Sequence, residues 1–144
     1  MSSVLSPNTP KELLDCIKLA CDKGDKFEIR GQGSKRSWGR PVQNCSILDL
    51  SKLSGILFYE PRELVLSAIA GTPMKNIIET LKDNNQYLAF EPPNLSSLYG
   101  EPDNYGTIGG VIATNLSGPR RLSVGAARDH LLGFEAVSGA GEYF

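Results

Sequence analysis

Two glycine-bearing stretches hold the residues whose types and spacing could do chemistry, and that chemistry is the capture of a phosphorylated anion. In Gly106-Thr107-Ile108-Gly109-Gly110-Val111-Ile112-Ala113-Thr114-Asn115, Thr107 is placed to cap a helix, and Gly109 and Gly110 leave its first turn without side chains. Val111, Ile112 and Ala113 can anchor that turn in a core. A helix start presents unpaired amides and roughly half a positive charge, so free N–H groups facing outward would cradle a phosphate. The competing reading is a tight turn whose glycine pair lets two elements pack closely.

The other stretch is Gly31-Gln32-Gly33-Ser34-Lys35, entered directly from Phe27-Glu28-Ile29-Arg30, which alternates apolar and polar residues like a short strand. A dinucleotide fold of the Rossmann kind needs a third glycine where Arg36 stands, then a long helix, which Trp38-Gly39-Arg40-Pro41 breaks. Small residues after a strand can still form a backbone nest for phosphate oxygens, with the Ser34 hydroxyl and Lys35 ammonium as further donors. A basic surface loop is the alternative. Ser117-Gly118-Pro119-Arg120-Arg121 adds two cations in a turn, readable either as ligand contacts or as solvated surface charge.

Composition sets the frame. The 144 residues suffice for one domain with a core, at 40% hydrophobic and 22% charged. With 15 basic and 16 acidic residues, no global field recruits nucleic acid or an anionic membrane, so any anion site must be local. Cys16, Cys21 and Cys45 have no zinc spacing and are odd in number, which suits buried thiols in a reducing compartment; no metal site is expected. No apolar run reaches the ~20 residues of a membrane span, so a cytoplasmic protein without direct membrane insertion is expected.

The elements that must position the two loops follow from punctuation and periodicity. Thr9-Pro10-Lys11-Glu12 predicts a helix with a capping box, an inner face of Leu13, Leu14, Cys16, Ile17, Ala20 and Cys21, and a stop at Gly24. Strands are predicted at Ser46–Leu50, Ile56–Tyr59 and Glu63–Ala70, with Leu53 tucked inward between the first two. Gly71-Thr72-Pro73 predicts a second helix with Met74, Ile77, Ile78 and Leu81 on one face and Asn84-Asn85 at its end. Both helices would cover the same small sheet, an α+β arrangement. Glu91-Pro92-Pro93-Asn94 must run extended, a path able to line a flat ring, and Leu95–Asp103 reads as a surface loop. Leu131–Val137 predicts a strand that turns at Ser138-Gly139-Ala140-Gly141 into Glu142-Tyr143-Phe144. A hairpin arm ending there leaves an edge unpaired, as expected of a fragment of a longer protein truncated at Phe144.

The ordered set of motifs resembles the FAD-binding domain of the vanillyl-alcohol oxidase and p-cresol methylhydroxylase (PCMH) superfamily. The resemblance is strongest to the FAD-binding subunits of bacterial glycolate oxidases (glycolate dehydrogenases). It rests on Ile29-Arg30-Gly31-Gln32-Gly33-Ser34, Ile47-Leu48-Asp49, Glu63-Leu64-Val65, Ala70-Gly71-Thr72-Pro73 and Phe90-Glu91-Pro92-Pro93. It continues through Gly109 to Asn115, Gly118-Pro119-Arg120-Arg121, Arg128-Asp129, Leu132-Gly133 and Ser138-Gly139-Ala140-Gly141. It implies a PCMH-type fold of two α+β subdomains with FAD between them: residues 1–104 the first, with its connecting loop, and 105–144 the start of an incomplete second. Carried over residue by residue, Gly31, Gln32, Gly33, Ser34 and Lys35 form one pyrophosphate cradle and Thr107, Gly109 and Gly110 the other. Thr114, Asn115, Gly118 and Pro92 are further cofactor contacts, and Arg120 and Arg121 could meet phosphate or ribityl oxygens.

Departures from the pattern refine this. Relatives that bind FAD covalently often use a histidine where Ser34 stands, so attachment here is expected to be noncovalent. His130, beside Asp129, is read as structural, and no catalytic residue is assigned. The stretch Leu95–Tyr105 is longer than the usual link. The resemblance implies the FAD-binding portion of a 2-hydroxy-acid (glycolate) dehydrogenase subunit whose partners are a second flavoprotein and an iron–sulfur subunit. It also allows attachment to the inner face of the cell membrane through those partners. The alternative is a noncatalytic scaffold subunit or fragment of the same fold that binds FAD weakly or not at all; a module for another diphosphate is a further one.

Overall fold

A computed structural model describes residues 3–40, 43–96 and 104–144. Helix α1 (Pro10–Lys23) starts where Thr9 accepts a hydrogen bond from the Glu12 N–H at 3.1 Å, and stops at Gly24, whose φ of 69° lets its N–H reach back to Ala20 and Cys21 carbonyls. The capping box is altered. Glu12 accepts from the backbone and side-chain N–H groups of Asn8, not from Thr9, and these bonds lower its pKa. On the inner face only Ala20 is buried. The cysteines, expected inside, are half-buried at 16 and 45 and exposed at 21. The C-terminal turn reaches that side of α1 through Gly139, whose carbonyl accepts from the Cys21 thiol, and through Gly141 beside Lys18. Neither glycine has a side chain to cover the thiol.

The strands divide between two sheets instead of sharing one. Strands β1 (Val4–Leu5), β2 (Phe27–Arg30) and β3 (Ser46–Asp49) form a parallel sheet in the order β1-β3-β2, with Val4 opposite Ile47 and Arg30 opposite Asp49. β4 (Ile56–Glu60) and β5 (Val65–Ala68) form a separate antiparallel pair. The break follows from the turn between them: Asp49 accepts from the Ser51 N–H, the Leu53 N–H donates to the Leu50 carbonyl, and Leu53 is buried as expected. Leu64 takes a φ of 58° in the turn, so β5 begins at Val65, inside the predicted Glu63–Ala70. β1 was unforeseen because two residues show no periodicity; only pairing with β3 defines it.

Helix α2 (Met74–Lys82) begins one residue later than the capping signal suggested, with no side-chain cap. Thr72 is instead buried, its hydroxyl oxygen accepting from the Gly55 N–H at 2.8 Å and donating to the Ile69 carbonyl at 2.6 Å. Met74, Ile77 and Leu81 form its buried stripe, whereas Ile78 lies at the margin and is 41% exposed. These three join Phe90, Val111 and Ala127 in the main core, against which Tyr59, Leu66 and Ala68 of β4 and β5 pack. The core draws on residues from both sides of position 104.

After residue 104 come α3 (Ile108–Thr114), α4 (Arg121–Val124) and a single 3₁₀ turn at Ala127–His130. The C-terminal hairpin forms only near its turn, with Val137 bridging Tyr143 and with Ala136 and Phe144 exchanging backbone bonds of 2.7 and 2.9 Å. Leu131–Glu135 is not a strand; Leu132 and Phe134 are 83% and 66% exposed, and the Phe134 ring meets Phe144 edge-on with centroids 6.2 Å apart. From residue 97 to 103, the expected loop Leu95–Asp103 lies outside the described residues, as does Pro41. Among the described residues, no helix is long and apolar enough to cross a membrane, and no three potential ligand side chains group around a metal position.

Candidate functional site

β2 delivers the first glycine loop. Its last residue, Arg30, is held in register opposite Asp49 and forms an ion pair with it at 4.0 Å, so Gly31 leaves the sheet from a fixed point. Beyond it the loop's carbonyls are engaged: Gln32 accepts from the Asn104 side chain, Gly33 from the Arg36 N–H and Lys35 from the Trp38 N–H. Its amides are not. Among the described residues, the N–H groups from Gly31 to Lys35 donate to no protein acceptor. Successive open amides around a left-handed residue, here Gly33 at φ 75°, are the elements of a backbone anion nest.

The second loop behaves differently from the expectation. Thr107 does cap α3, but the first-turn amides are consumed within the protein: Ile108 donates to the Thr72 carbonyl at 3.0 Å, Gly109 to the Ala70 carbonyl at 2.9 Å, and Gly110 to Thr107 Oγ1 at 3.3 Å. The N–H groups of Ile108, Gly109 and Gly110 are therefore not free to face outward. The close-packing alternative describes Gly109, where a Cβ would lie 2.8 Å from the Ala70 carbonyl oxygen. Gly110 is the open member of the pair. A Cβ there would stand 3.6 Å from Lys35 Nζ and 3.5 Å from Thr107 Oγ1, in ordinary contact.

The two loops touch. Gly31 abuts the Thr107 side chain, and Gly106, at φ 75°, leaves no room for a Cβ beside Ser34 Oγ. Lys35 Nζ lies 3.4 Å from Ser34 Oγ and is half-buried without a carboxylate in ion-pairing range among the described residues. Burial lowers its pKa from the ordinary lysine value, because desolvation disfavours the charged form. Ser34, Lys35, Trp38, Pro93, Tyr105 and Leu116 line a shallow recess at this junction. It offers a cation and hydroxyl on one side and apolar surface on the other.

The remaining sequence-predicted residues are built into the frame around the recess. The Thr114 hydroxyl donates to the Gly110 carbonyl at 2.7 Å, and Asn115 caps α3 at φ 50° while its Oδ1 accepts from the Arg128 N–H. Gly118 donates to the Phe90 carbonyl and packs so near Glu91 that a Cβ would lie 2.5 Å from its carbonyl oxygen. It is Pro93, not Pro92, that lines the recess. Arg120 Nη1 donates to the Tyr87 hydroxyl at 2.9 Å and pairs with Glu91 at 3.6 Å, which engages its side chain locally; Arg121 is exposed. The His130 ring lies tilted against Phe90 with centroids 5.4 Å apart, and its Nε2 donates to the Val124 carbonyl, so both ring and nitrogen are engaged within the protein. Sequence reasoning missed Trp38 and Tyr105 as recess residues. In the sequence Trp38 reads as part of a helix-breaking run, and its place three residues after Lys35 is the signal that could have found it.

Open amides, a half-buried ammonium with no ion-pair partner among the described residues and a bare glycine facing it converge at one recess of this α+β domain. The family model described as FAD binding domain matches residues 1–144, and the chain belongs to that family. The fold is the PCMH-type FAD-binding fold, and FAD is the cofactor. The chain is 39% identical over 131 residues to the glycolate oxidase subunit GlcE of Escherichia coli, covering 91% of this chain and 35% of that protein. It is 25% identical over 141 residues to the glycolate oxidase subunit GlcD of Bacillus subtilis, covering 97% of this chain and 28% of that protein. The chain thus spans about a third of the length of these relatives, both of which are subunits. The solved structure of an alkyldihydroxyacetonephosphate synthase superposes with a TM-score of 0.74 at 20% identity, covering 96% of this chain and 27% of that one; this likeness is one of fold.

Proposed function

We propose that the chain is the cofactor-holding portion of a flavin-dependent 2-hydroxy-acid dehydrogenase or oxidase subunit, with glycolate as the substrate. The observation that carries the binding mode is the run of amides from Gly31 to Lys35 that meet no acceptor among the described residues, beside a Lys35 ammonium with no ion-pair partner among them. In this reading Gly31, Gln32, Gly33, Ser34 and Lys35 hold the FAD pyrophosphate noncovalently through charge-assisted hydrogen bonds. Thr107 and Gly110 form the opposing wall. Gly109, Thr114, Asn115, Gly118 and Pro92 serve by fixing that wall in place. Ser34 offers a hydroxyl where covalent attachment would need a more nucleophilic ring nitrogen. When bound, FAD supplies two-electron redox chemistry; this part of the chain binds the cofactor, keeps the Lys35 proton on Nζ and excludes water from the diphosphate.

A noncatalytic scaffold that has lost FAD is not favoured, since the match to the FAD-binding domain family runs over residues 1–144 and takes in both glycine loops. The names of the relatives support a multisubunit assembly, in which we place a second flavoprotein and an iron–sulfur subunit as partners. The assembly would work in the cytoplasm, meeting the inner face of the membrane through those partners. The test is the visible spectrum of purified protein after addition of FAD and removal of the excess, followed by heating. Flavin bands that persist and are then released on denaturation support the reading. Colourless protein whose melting temperature ignores FAD would end it.

A further inference from the structure

Two buried side-chain polar atoms make no hydrogen bond among the described residues, Glu28 Oε1 and Trp38 Nε1. The first has its charge met by Arg36 Nε at 2.7 Å. The indole N–H of Trp38 has nothing. A buried donor without an acceptor is rare in folded proteins and unfavourable, so it marks a place where an acceptor is to be supplied. Its position says which kind. Trp38 lines the recess together with Lys35 and Ser34, and its backbone N–H donates to the Lys35 carbonyl at 3.0 Å, which holds the main chain of residue 38 beside the cationic end of the glycine loop.

We infer that Trp38 is a cofactor-binding residue whose indole N–H donates to an oxygen of the bound diphosphate, completing the donor set of Gly31 to Lys35. This rests on the FAD-binding reading above and adds to it a residue outside the glycine motif. An indole donor is neutral, so it discriminates by direction and distance where Lys35 acts mainly through charge. The arrangement also places an apolar ring beside the anion, shielding the Lys35–phosphate contact from water and strengthening it.

Trp38 is the only tryptophan in the sequence, so the ¹⁵N-labelled protein gives one indole N–H resonance to follow. Titration with FAD, and separately with inorganic diphosphate, which has no rings to perturb neighbouring shifts, is expected to move that resonance downfield and slow its exchange with water. The backbone amides of Gly31 to Lys35 should move in parallel. If those amides respond while the indole stays unchanged, FAD binds without Trp38 and the inference is overturned, with the binding reading intact. If neither responds, the binding reading itself fails and takes the inference with it. Trp38→Phe keeps an aromatic ring and removes the donor; FAD should bind about 3- to 10-fold more weakly, in line with one neutral hydrogen bond. Unchanged affinity in that variant would also overturn the inference, and if the variant does not fold, the indole resonance of the parent protein decides alone.

Discussion

Gly31 lies so close to Thr107 that a methyl group added to its Cα would stand 2.6 Å from Thr107 Cγ2 and 2.7 Å from Oγ1. Thr107 cannot step aside without cost, because the same oxygen caps α3 by accepting from the Gly110 N–H. The two glycine loops are therefore fitted to each other as well as to a ligand. Gly31→Ala should lower stability by about 1–3 kcal/mol through overpacking and widen the junction. Thermal melts with and without FAD should show both a lower Tm and a smaller shift on adding the cofactor.

Gly109 and Gly110 should separate on substitution, although they are neighbours in sequence. Gly109→Ala drives a Cβ to 2.8 Å from the Ala70 carbonyl oxygen and strains the bond that the Gly109 N–H makes there, so it should destabilise the fold. Gly110→Ala places its Cβ at ordinary contact distance from Lys35 Nζ, so it should leave the Tm of the ligand-free protein nearly unchanged while weakening FAD. Equal losses of Tm in the two variants would contradict this division of labour.

Lys35→Met should act with opposite signs on stability and on binding. Removal of a half-buried cation with no ion-pair partner among the described residues relieves a desolvation cost, so the ligand-free variant should melt no lower than the parent. Loss of a charge-assisted bond should weaken FAD by about 10- to 150-fold. The pH dependence follows from the same lowered pKa. Between that value and the ordinary lysine value the unfolded chain holds more protons, so ligand-free stability contributed by this group rises with pH across the interval. FAD affinity should fall across it, as the ammonium is lost. Calorimetric titration at a series of alkaline pH values would show whether it does.

Thr72→Val should cost about 1–3 kcal/mol, because the Gly55 N–H and the Ile69 carbonyl both lose the buried Thr72 hydroxyl as partner while the shape is kept. The Thr72 carbonyl also accepts from the Ile108 N–H, so the loss should be felt at the start of α3. Chemical denaturation with an unchanged m-value would identify a pure loss of stability.

Much of this was legible in the residues. Thr9, Pro10 and Gly24 set α1 because caps and stops act locally, and the alternation in Phe27–Arg30 gave β2 for the same reason. What was not legible depended on partners distant in the chain. That Ser46–Asp49 pairs with β2 and β1 while Ile56–Glu60 pairs with β5 is a choice among strands of similar appearance. Thr72 and Thr107 carry the same kind of signal, yet only Thr107 caps a helix, since the Thr72 hydroxyl is taken by Gly55 and Ile69. The site followed the same rule. The glycine pattern located both loops, but which one keeps its amides open was decided by the carbonyls of Ala70 and Thr72, nearly forty residues away from Gly109 and Ile108 in neither motif's own text.

The connection between β2 and β3 has a kinetic consequence. Parallel neighbours need a long crossover, commonly a helix, and here the described part of that crossover contains the glycine loop and no helix. The loop is the tether that allows Ile29 and Leu48 to lie side by side. A ligand that orders the tether thereby resists the separation of the strands it joins. Amide hydrogen exchange at Ser46 and Leu50, whose N–H groups donate to the Lys26 and Arg30 carbonyls, should slow when FAD is bound, although neither residue touches the recess.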